Sequence, residues 1–204
     1  MDSEWSVDWE SISTPGELLV LLLSQLTPQV EAAISAGNLI LSGGVQVIAP
    51  VSAFLFSAAN AGDFLWPSAQ RGRNRHGIAA SFPNRARDMR HLLGLPDEEP
   101  SELDSIRNDL THADERIEEL YLEDPNASLI FWGVGTVVAG GPRHYMNFDP
   151  PTGVLHSLGH EISLTDMVAW LVDLLDRISK VSIQLFFRSD ALGISTDVGP
   201  NVVE

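Results

Sequence analysis

Apolar residues recur at helical spacing through residues 15–123 of this 204-residue chain. The first such stretch, STPGELLVLLLSQL, opens with Thr14 in the position of a helix N-cap, followed by Pro15 at the first helical position. Glu17 lies three residues after Thr14, where a capping box takes its acidic residue. The pattern therefore predicts a helix that begins at Pro15.

Two further helices are predicted before residue 100. Gly37 and Asn38 are typical stop signals, so the first helix is predicted to end near Ala36. The nearly all-apolar residues 39–66, LILSGGVQVIAPVSAFLFSAANAGDFLW, predict a second helix. The stretch PNRARDMRHLLGLP, residues 83–96, predicts a short third helix that is closed by a glycine and a proline.

The clearest helical pattern follows at residue 101. Ser101, with Asp104 three residues later, supplies an N-terminal signal. Apolar residues then recur at spacings of three and four, as expected for one amphipathic helix that packs on a core. These apolar residues are Leu103, Ile106, Leu110, Ala113, Ile117 and Leu120.

The pattern changes to short strands and then returns to a helix. The stretches SLIFWGVGTVV, RHYMNFD and GVLHSLGHEI are rich in β-branched and aromatic residues and are separated by the turn signals AGGP and DPPTG. They predict an antiparallel ribbon of two to four strands within about residues 128–162. In SLTDMVAWLVDLLDRISKV, Ser163 and Asp166 mark the start of a last helix. The next stretch, SIQLFF, fits either an extension of that helix or a strand.

Together these elements predict a mainly α fold, a helical bundle with a small antiparallel β annex and a C-terminal helix. Hydrophobic cores stop growing at roughly 250–300 residues, so this length suits one domain. We expect an N-terminal arm over residues 1–14, a single domain over residues 15–185 and a C-terminal tail over residues 186–204.

The charge balance is acidic, with 12 Lys and Arg residues against 28 Asp and Glu residues and a net charge of −16. This balance disfavours non-specific binding to nucleic acid, which depends on cations that displace phosphate counterions. No Lys or Arg occurs in residues 1–70, whereas residues 71–90 are locally basic. The basic segment either binds an anionic partner or forms a solvated loop that balances an acidic face.

The sequence favours a soluble protein of the cytoplasm. It has no cysteine, which excludes disulfides, thiolate metal sites and thiol nucleophiles and suits a reducing compartment. The acidic N-terminus, MDSEWSVDWE, lacks the basic region of a secretory signal. The uncharged residues 32–62 are long enough to cross a bilayer, but Gly, Pro and Ser interrupt them. We therefore expect a buried core helix there and no membrane span.

A polar face on the fourth predicted helix carries the strongest candidate chemistry. At about 100° per residue, Arg107, Asn108 and His112 lie opposite the apolar residues of that helix. Asn108 and His112, four positions apart, are neighbours on a helix surface. The same spacing also fits an ordinary solvated face with local ion pairs, such as Asp109 with His112.

These residues form an R-N-x-x-x-H motif, Arg107, Asn108 and His112, that resembles the signature of the HEPN superfamily. The stretches FLWPS, MRHLLGLP and LDSIRNDLTHADERIEEL are also similar to a bacterial HEPN-like group. The resemblance covers roughly residues 15–123. It implies an all-α bundle to which the strands and the last helix are added.

For catalytic HEPN proteins, the resemblance implies metal-independent cleavage of RNA at a composite site across a dimer, as used in host defence and by toxins of toxin–antitoxin pairs. His112 would then act as general acid or base. Arg107 would stabilise the charge that develops on the phosphate. Asn108 would orient His112 or the phosphate.

The motif lies in acidic surroundings that an RNA phosphate would have to overcome. Asp109, Asp114 and Glu115 are all within or next to it. Cations from elsewhere in the chain are therefore needed to offset them. The candidate RNA-binding residues are Arg71, Arg73, Arg75 and Arg116.

Two functions remain open at this point. The complete Arg-Asn-His set favours a ribonuclease, whereas the acidic charge balance favours a non-catalytic HEPN-like module that binds a nucleotide, RNA or a partner protein. Either protein is expected to form a homodimer and to use no cofactor.

The histidines of the predicted strands are a weaker candidate site. His144, His156 and His160 lie near Asp149 and Glu161 in the sequence, but their spacing matches no metal-ligand pattern. The sequence also lacks a G-x-S-x-G nucleophile motif and a Gly-rich phosphate loop with a lysine. No metal site is therefore predicted, and these histidines are interpreted as surface residues.

Overall fold

The computed structural model contains a short 3₁₀ helix, Trp9–Ser11, and, in the residues it describes, six α-helices and four β-strands. The described residues are 7–43, 48–67, 82–123, 129–136, 143–157 and 160–191. The helices are α1 Gly16–Leu41, α2 Ile48–Leu65, α3 Arg85–Leu92, α4 Ser101–Thr111, α5 Ala113–Glu123 and α6 Leu164–Ala191. The strands are β1 Leu129–Val134, β2 Arg143–Asp149, β3 Val154–Ser157 and β4 His160–Ser163.

The bundle is built around α1, which packs against both α2 and α6. α1 buries a residue at every third or fourth position from Leu19 to Ile40, so it presents a continuous apolar stripe to the core. α2 packs in turn against α4, whose Leu103 and Ile106 are fully buried. The prediction of a mainly α fold with a small sheet and a C-terminal helix is confirmed.

α1 continues through the predicted stop signal at Gly37 and ends at Leu41. A Cβ atom at Gly37 would overlap the Cγ2 atom of Val168, because α1 and α6 approach each other closely there. The glycine therefore permits helix packing instead of ending the helix, and the predicted end of the first helix is wrong. α2 accordingly begins at Ile48, later than predicted.

The N-terminal arm is fastened to α3 by the buried carboxylate of Asp88. Its Oδ2 atom accepts hydrogen bonds from the backbone N–H and the hydroxyl group of both Ser13 and Thr14, at 2.8–3.0 Å. Its Oδ1 atom accepts two hydrogen bonds from Arg87. Thr14 therefore does not cap α1, whose N-cap is Pro15, and the predicted cap is wrong.

The predicted fourth helix is two helices. α4 ends at Thr111 and α5 begins at Ala113, while His112 between them has φ −118° and ψ 31°. The apolar spacing continues across this break, so the hydrophobic pattern carries no sign of it, and the prediction of one helix is wrong. Ser101 is the first residue of α4 rather than its cap, because Pro100 occupies the N-cap position.

The β annex is a four-stranded sheet in the order β1-β2-β3-β4. β2, β3 and β4 are antiparallel, with Leu155 paired to both Phe148 and Ile162. β1 and β2 are parallel, so the prediction of an antiparallel ribbon is wrong for this pair. Leu155 and Ile162 belong to the main core, which joins the annex to the bundle.

α6 extends to Ala191, so SIQLFF is helical, and residues 192–204 of the predicted tail lie outside the described residues. Its start matches the prediction, since the Ser163 hydroxyl accepts a hydrogen bond from the Asp166 N–H at 3.4 Å. α6 packs along α1 and buries Leu171, Leu174 and Ile178. The C-terminal helix thereby completes the bundle.

Candidate functional site

Arg107, the first residue of the motif, contacts the C-terminal end of α2, and 15% of its side chain is exposed. Its Nη1 atom donates a hydrogen bond to the backbone oxygen of Trp66. Its Nη2 atom donates to Glu99 Oε2 at 2.5 Å and to Asp104 Oδ1 at 3.2 Å. The Oδ1 atom of Asp63 lies 3.9 Å from Nη1. Arg107 therefore joins α2, α4 and the segment that precedes α4.

The positive charge of Arg107 is more than balanced inside the protein. Three carboxylates, those of Asp63, Glu99 and Asp104, surround one guanidinium. A phosphate would have to compete with all three, and the carbonyl at the end of α2 also favours a cation there. The interpretation of this side of α4 as a solvated face is therefore wrong for Arg107, because α2 covers it.

Glu99 is the least satisfied member of this cluster. Its Oε1 atom is buried and has no hydrogen-bond partner among the described residues. Burial raises the pKa of Glu99 to about 7, the attraction of Arg107 opposes this rise, and repulsion from Asp104 adds to it. Glu99 therefore exchanges its proton close to neutral pH.

A second arginine, Arg90 of α3, caps the same helix end. Its Nη1 atom donates to the backbone oxygen of Leu65 at 2.6 Å, and its Nη2 atom pairs with Asp97 at 3.0 Å. The guanidinium carbon lies 6.0 Å from the ring centroid of Trp66. The Trp66 indole N–H donates to the Asp97 backbone oxygen at 3.0 Å. The end of α2 is thus held by two arginines that are committed to internal contacts.

His112 lies at the α4–α5 break, and 46% of its side chain is exposed. Its Nδ1 atom is 3.1 Å from Glu115 Oε2. Its backbone N–H donates a hydrogen bond to the backbone oxygen of Asn108 at 3.0 Å. Asn108 is exposed. His112 and Asn108 therefore remain accessible to a ligand, although a carboxylate already occupies one ring nitrogen.

Among the described residues, no hydrogen bond or ion pair joins Arg107 to His112. Arg107 is turned towards α2, whereas His112 is paired with Glu115 in the first turn of α5. The other candidate cations are not among the described side chains. Arg71, Arg73 and Arg75 lie outside the described residues, and Arg116 lies in α5 with its side chain outside them.

The structure reveals one functional candidate that the sequence analysis treated as surface charge, Asp109. It is 2% exposed and lies on the core side of α4, where its Oδ1 atom is 3.4 Å from His160 Nε2 on β4. Burial raises the pKa of Tyr145, and the charge of Asp109 raises it further. Asp109 follows Ile106 by three positions on the apolar stripe, so helical spacing contained the signal that it is buried.

The two strand histidines whose side chains the structure describes do not converge. His156 Nδ1 lies 3.6 Å from Glu161 Oε1, while His160 is turned towards Asp109. The side chain of His144 lies outside the described residues. Among the residues that are described, no group of three or more His, Asp or Glu side chains is arranged to hold a metal ion.

A cavity of about 480 Å³ opens between α1, α2 and the segment before α3. Its walls combine Phe64 and Phe82 with the amides of Asn60 and Gln29, which are joined by a hydrogen bond of 3.3 Å. Among the described residues that line it, Arg85 is the one cation. The described part of its lining therefore lacks the convergent cations that a nucleic-acid backbone requires.

Comparison with known proteins adds no relative to this picture. No protein-family model, curated protein or solved structure matches the chain. Function is therefore inferred from the residues of the chain and their geometry.

Proposed function

We propose that this chain is a non-catalytic HEPN-like module that acts by binding a partner protein. The environment of Arg107 carries the proposal, because its guanidinium donates to the Trp66 carbonyl and to the carboxylates of Glu99 and Asp104. A catalytic arginine must turn these donors towards the substrate phosphate. Turning them outward would break the contacts of Arg107 with Trp66 and Glu99, so Arg107 is poorly placed for such a role.

A protein is the favoured class of partner because of the charge distribution. A net charge of −16 opposes binding to RNA, whose affinity for proteins derives largely from counterions that Lys and Arg displace. Most described cations are already paired with carboxylates inside the chain. These are Arg87, Arg90, Arg107, Arg177 and Lys180.

The second candidate is a metal-independent ribonuclease of the host-defence or toxin kind. It is favoured by the exposure of His112 and Asn108 at a helix break, where a histidine is accessible as a general acid or base. This enzyme would need a cation other than Arg107 at the phosphate, and a homodimer would have to bring two His112 side chains together. It predicts cleavage that is lost on substitution of His112.

RNA cleavage in the presence of EDTA separates the two candidates. The wild type and His112→Ala are incubated with single-stranded and structured RNA, and the products are resolved on a gel. The binding module predicts no cleavage above a protein-free control with either protein. Cleavage by the wild type that disappears in a folded His112→Ala protein would overturn the proposal in favour of the ribonuclease.

A further inference from the structure

The cavity between α1, α2 and the segment before α3 has the size and composition of a small-molecule site. Its volume of about 480 Å³ lies within the range of roughly 300–1,000 Å³ that is usual for ligand cavities. An apolar cavity of about 150 Å³ already holds benzene, so this one has room for a ring with substituents. Half of the described lining residues are apolar and half are polar.

The apolar part of the lining comes from all three segments. Leu18 and Leu22 lie one turn apart on α1, Phe64 is near the end of α2, and Phe82 precedes α3. Each of these four residues is only partly buried, so apolar surface remains that a ligand can cover. Two phenyl rings and two leucine side chains suit the faces and edges of an aromatic ligand.

A pair of side-chain amides supplies hydrogen-bonding groups to the same cavity. Asn60 Nδ2 donates to Gln29 Oε1 at 3.3 Å, and neither side chain has another hydrogen bond to a described residue. This bond leaves Gln29 Nε2 as a donor and Asn60 Oδ1 as an acceptor. A carboxamide presents the complementary acceptor and donor side by side. Asn60 and Phe64 are four positions apart on α2, so the amide pair lies next to a phenyl ring.

The charged residues of the cavity favour a ligand without net charge. Asp63 and Arg85 contribute one negative and one positive charge to the described lining. Asp63 would repel an anionic ligand and Arg85 a cationic one, and either ligand would lose hydration against the apolar walls. Asp63 also has the guanidinium of Arg107 3.9 Å away, so its charge is already partly balanced. A neutral polar group loses less hydration than an ion and meets no like charge.

We propose that this cavity binds a small, uncharged aromatic molecule that carries a carboxamide next to its ring. The ring covers the apolar surface of Leu22, Phe64 and Phe82, and the carboxamide bonds to Gln29 and Asn60. The inference goes beyond the binding of a partner protein, and it uses no residue of the Arg-Asn-His motif.

The test is a titration of the ¹⁵N-labelled full chain, followed by NMR, with benzamide as the probe. Proton–nitrogen correlation spectra show the side-chain NH₂ groups of Gln29 and Asn60, which are assigned from the signals that Gln29→Leu and Asn60→Leu remove. Benzoate, benzylamine and toluene are the comparison ligands, because each replaces the carboxamide with an anion, a cation or an apolar group. Phe64→Ala removes a wall of the cavity. Phe56→Ala is its matched control, because Phe56 is 60% exposed, two turns earlier on α2 and outside the described lining.

We expect benzamide to shift the NH₂ signals of Gln29 and Asn60 with a Kd on the order of 1 mM, as for other ligands of this size. Benzoate and benzylamine should bind at least about fivefold more weakly. Gln29→Leu and Asn60→Leu should each weaken benzamide about fivefold through the lost hydrogen bond and leave toluene binding intact. Phe64→Ala should weaken both ligands, whereas Phe56→Ala should weaken neither. Circular dichroism checks that each variant is folded.

Three results would overturn the inference. The first is the absence of any shift of the two NH₂ groups at about ten times the expected Kd of benzamide. The second is tighter binding of benzoate or benzylamine than of benzamide, which would assign the cavity to a charged ligand. The third is benzamide binding that Gln29→Leu and Asn60→Leu leave unchanged. These outcomes are independent of the proposed function, which is tested separately by RNA cleavage.

Discussion

Two carboxylates beside arginines, the buried Asp88 and the partly buried Glu99, hold their protons very differently. Burial alone would raise the pKa of Asp88, but hydrogen bonds from Thr14, Arg87 and Ser13 outweigh it and lower the pKa to about 2. Burial raises the pKa of Glu99 to about 7 although Arg107 lies 2.5 Å away. A neighbouring guanidinium is thus less decisive than the number of hydrogen-bond donors.

The two carboxylates differ in how completely their oxygens are hydrogen-bonded. Both oxygens of Asp88 accept hydrogen bonds, whereas Glu99 has a buried oxygen without a hydrogen-bond partner among the described residues. Arg107 must also divide its charge among three carboxylates. The contacts of Asp88 with Ser13 and Thr14 are therefore a fixed structural element, whereas the Arg107 cluster responds to pH.

Asp88→Ala should have the largest effect on stability. It leaves the buried donors of Ser13 and Thr14 unpaired, so we expect the free energy of unfolding to fall by about 3–5 kcal/mol. Urea unfolding followed by circular dichroism measures the change. Asp97→Ala is the control, because the Asp97 side chain is 85% exposed and its loss should cost less than about 1 kcal/mol. Equal losses in the two variants would contradict this account of the Asp88 contacts.

Arg107→Ala should be the next most damaging change. It removes the contacts that hold the end of α2, and we expect a loss of about 2–4 kcal/mol. The loss should be smaller than for Asp88→Ala, because Glu99 can become neutral by taking up a proton once Arg107 is removed. Lys180→Ala removes a surface pair with Asp176 and should cost less than about 1 kcal/mol under the same conditions.

The two carboxylates should give stability opposite dependences on pH. The contribution of Glu99 is fully present below its unfolded pKa of 4.5 and is lost as the pH rises through about 7. The contribution of Asp88 is present above its unfolded pKa of 3.8 and is lost as the pH falls through about 2. Glu99→Gln should therefore flatten the decline in stability between pH 4.5 and 7. The histidines are the same in both proteins, so they cannot account for a difference between the two pH dependences. If the slope of stability against pH is the same in Glu99→Gln and in the wild type, Glu99 keeps an ordinary pKa.

His112→Ala should have the smallest effect. The side chain is half exposed and its described partner, Glu115, is also exposed, so the free energy of unfolding should change by less than about 0.5 kcal/mol. Differential scanning calorimetry of the variant and the wild type measures this change. A large loss would mean that His112 holds α4 and α5 together.

Periodicity predicted the helices of this fold but not all of their ends. Gly37 is a local stop signal, yet the tight contact with Val168 decides its role, and that contact joins residues far apart in the sequence. No glycine or proline marks the break at His112 in the sequence. The parallel pairing of β1 with β2 is likewise a tertiary property that strand composition does not encode.

The surroundings of the candidate site residues could not be predicted from the sequence, for an electrostatic reason. A helical wheel shows which side of α4 is polar, but it does not show that α2 covers Arg107 or that Glu99 and Asp63 compete for its charge. Asp109 was interpreted as a surface charge, although its position on the apolar stripe was readable from the sequence. Whether a polar residue on a helix faces solvent or joins an internal network can therefore be decided only when the elements that pack around it are known.

A double-mutant cycle between Arg107 and Glu99 tests most directly whether the charge of Arg107 is used inside the protein. Urea unfolding at pH 8, where Glu99 is largely ionised, is measured for the wild type, Arg107→Ala, Glu99→Gln and the double variant. We predict that the two substitutions together cost less than their sum, with a coupling of about 1–3 kcal/mol. Additive losses, with Arg107→Ala close to the wild type in stability, would contradict the account and leave Arg107 available for a substrate.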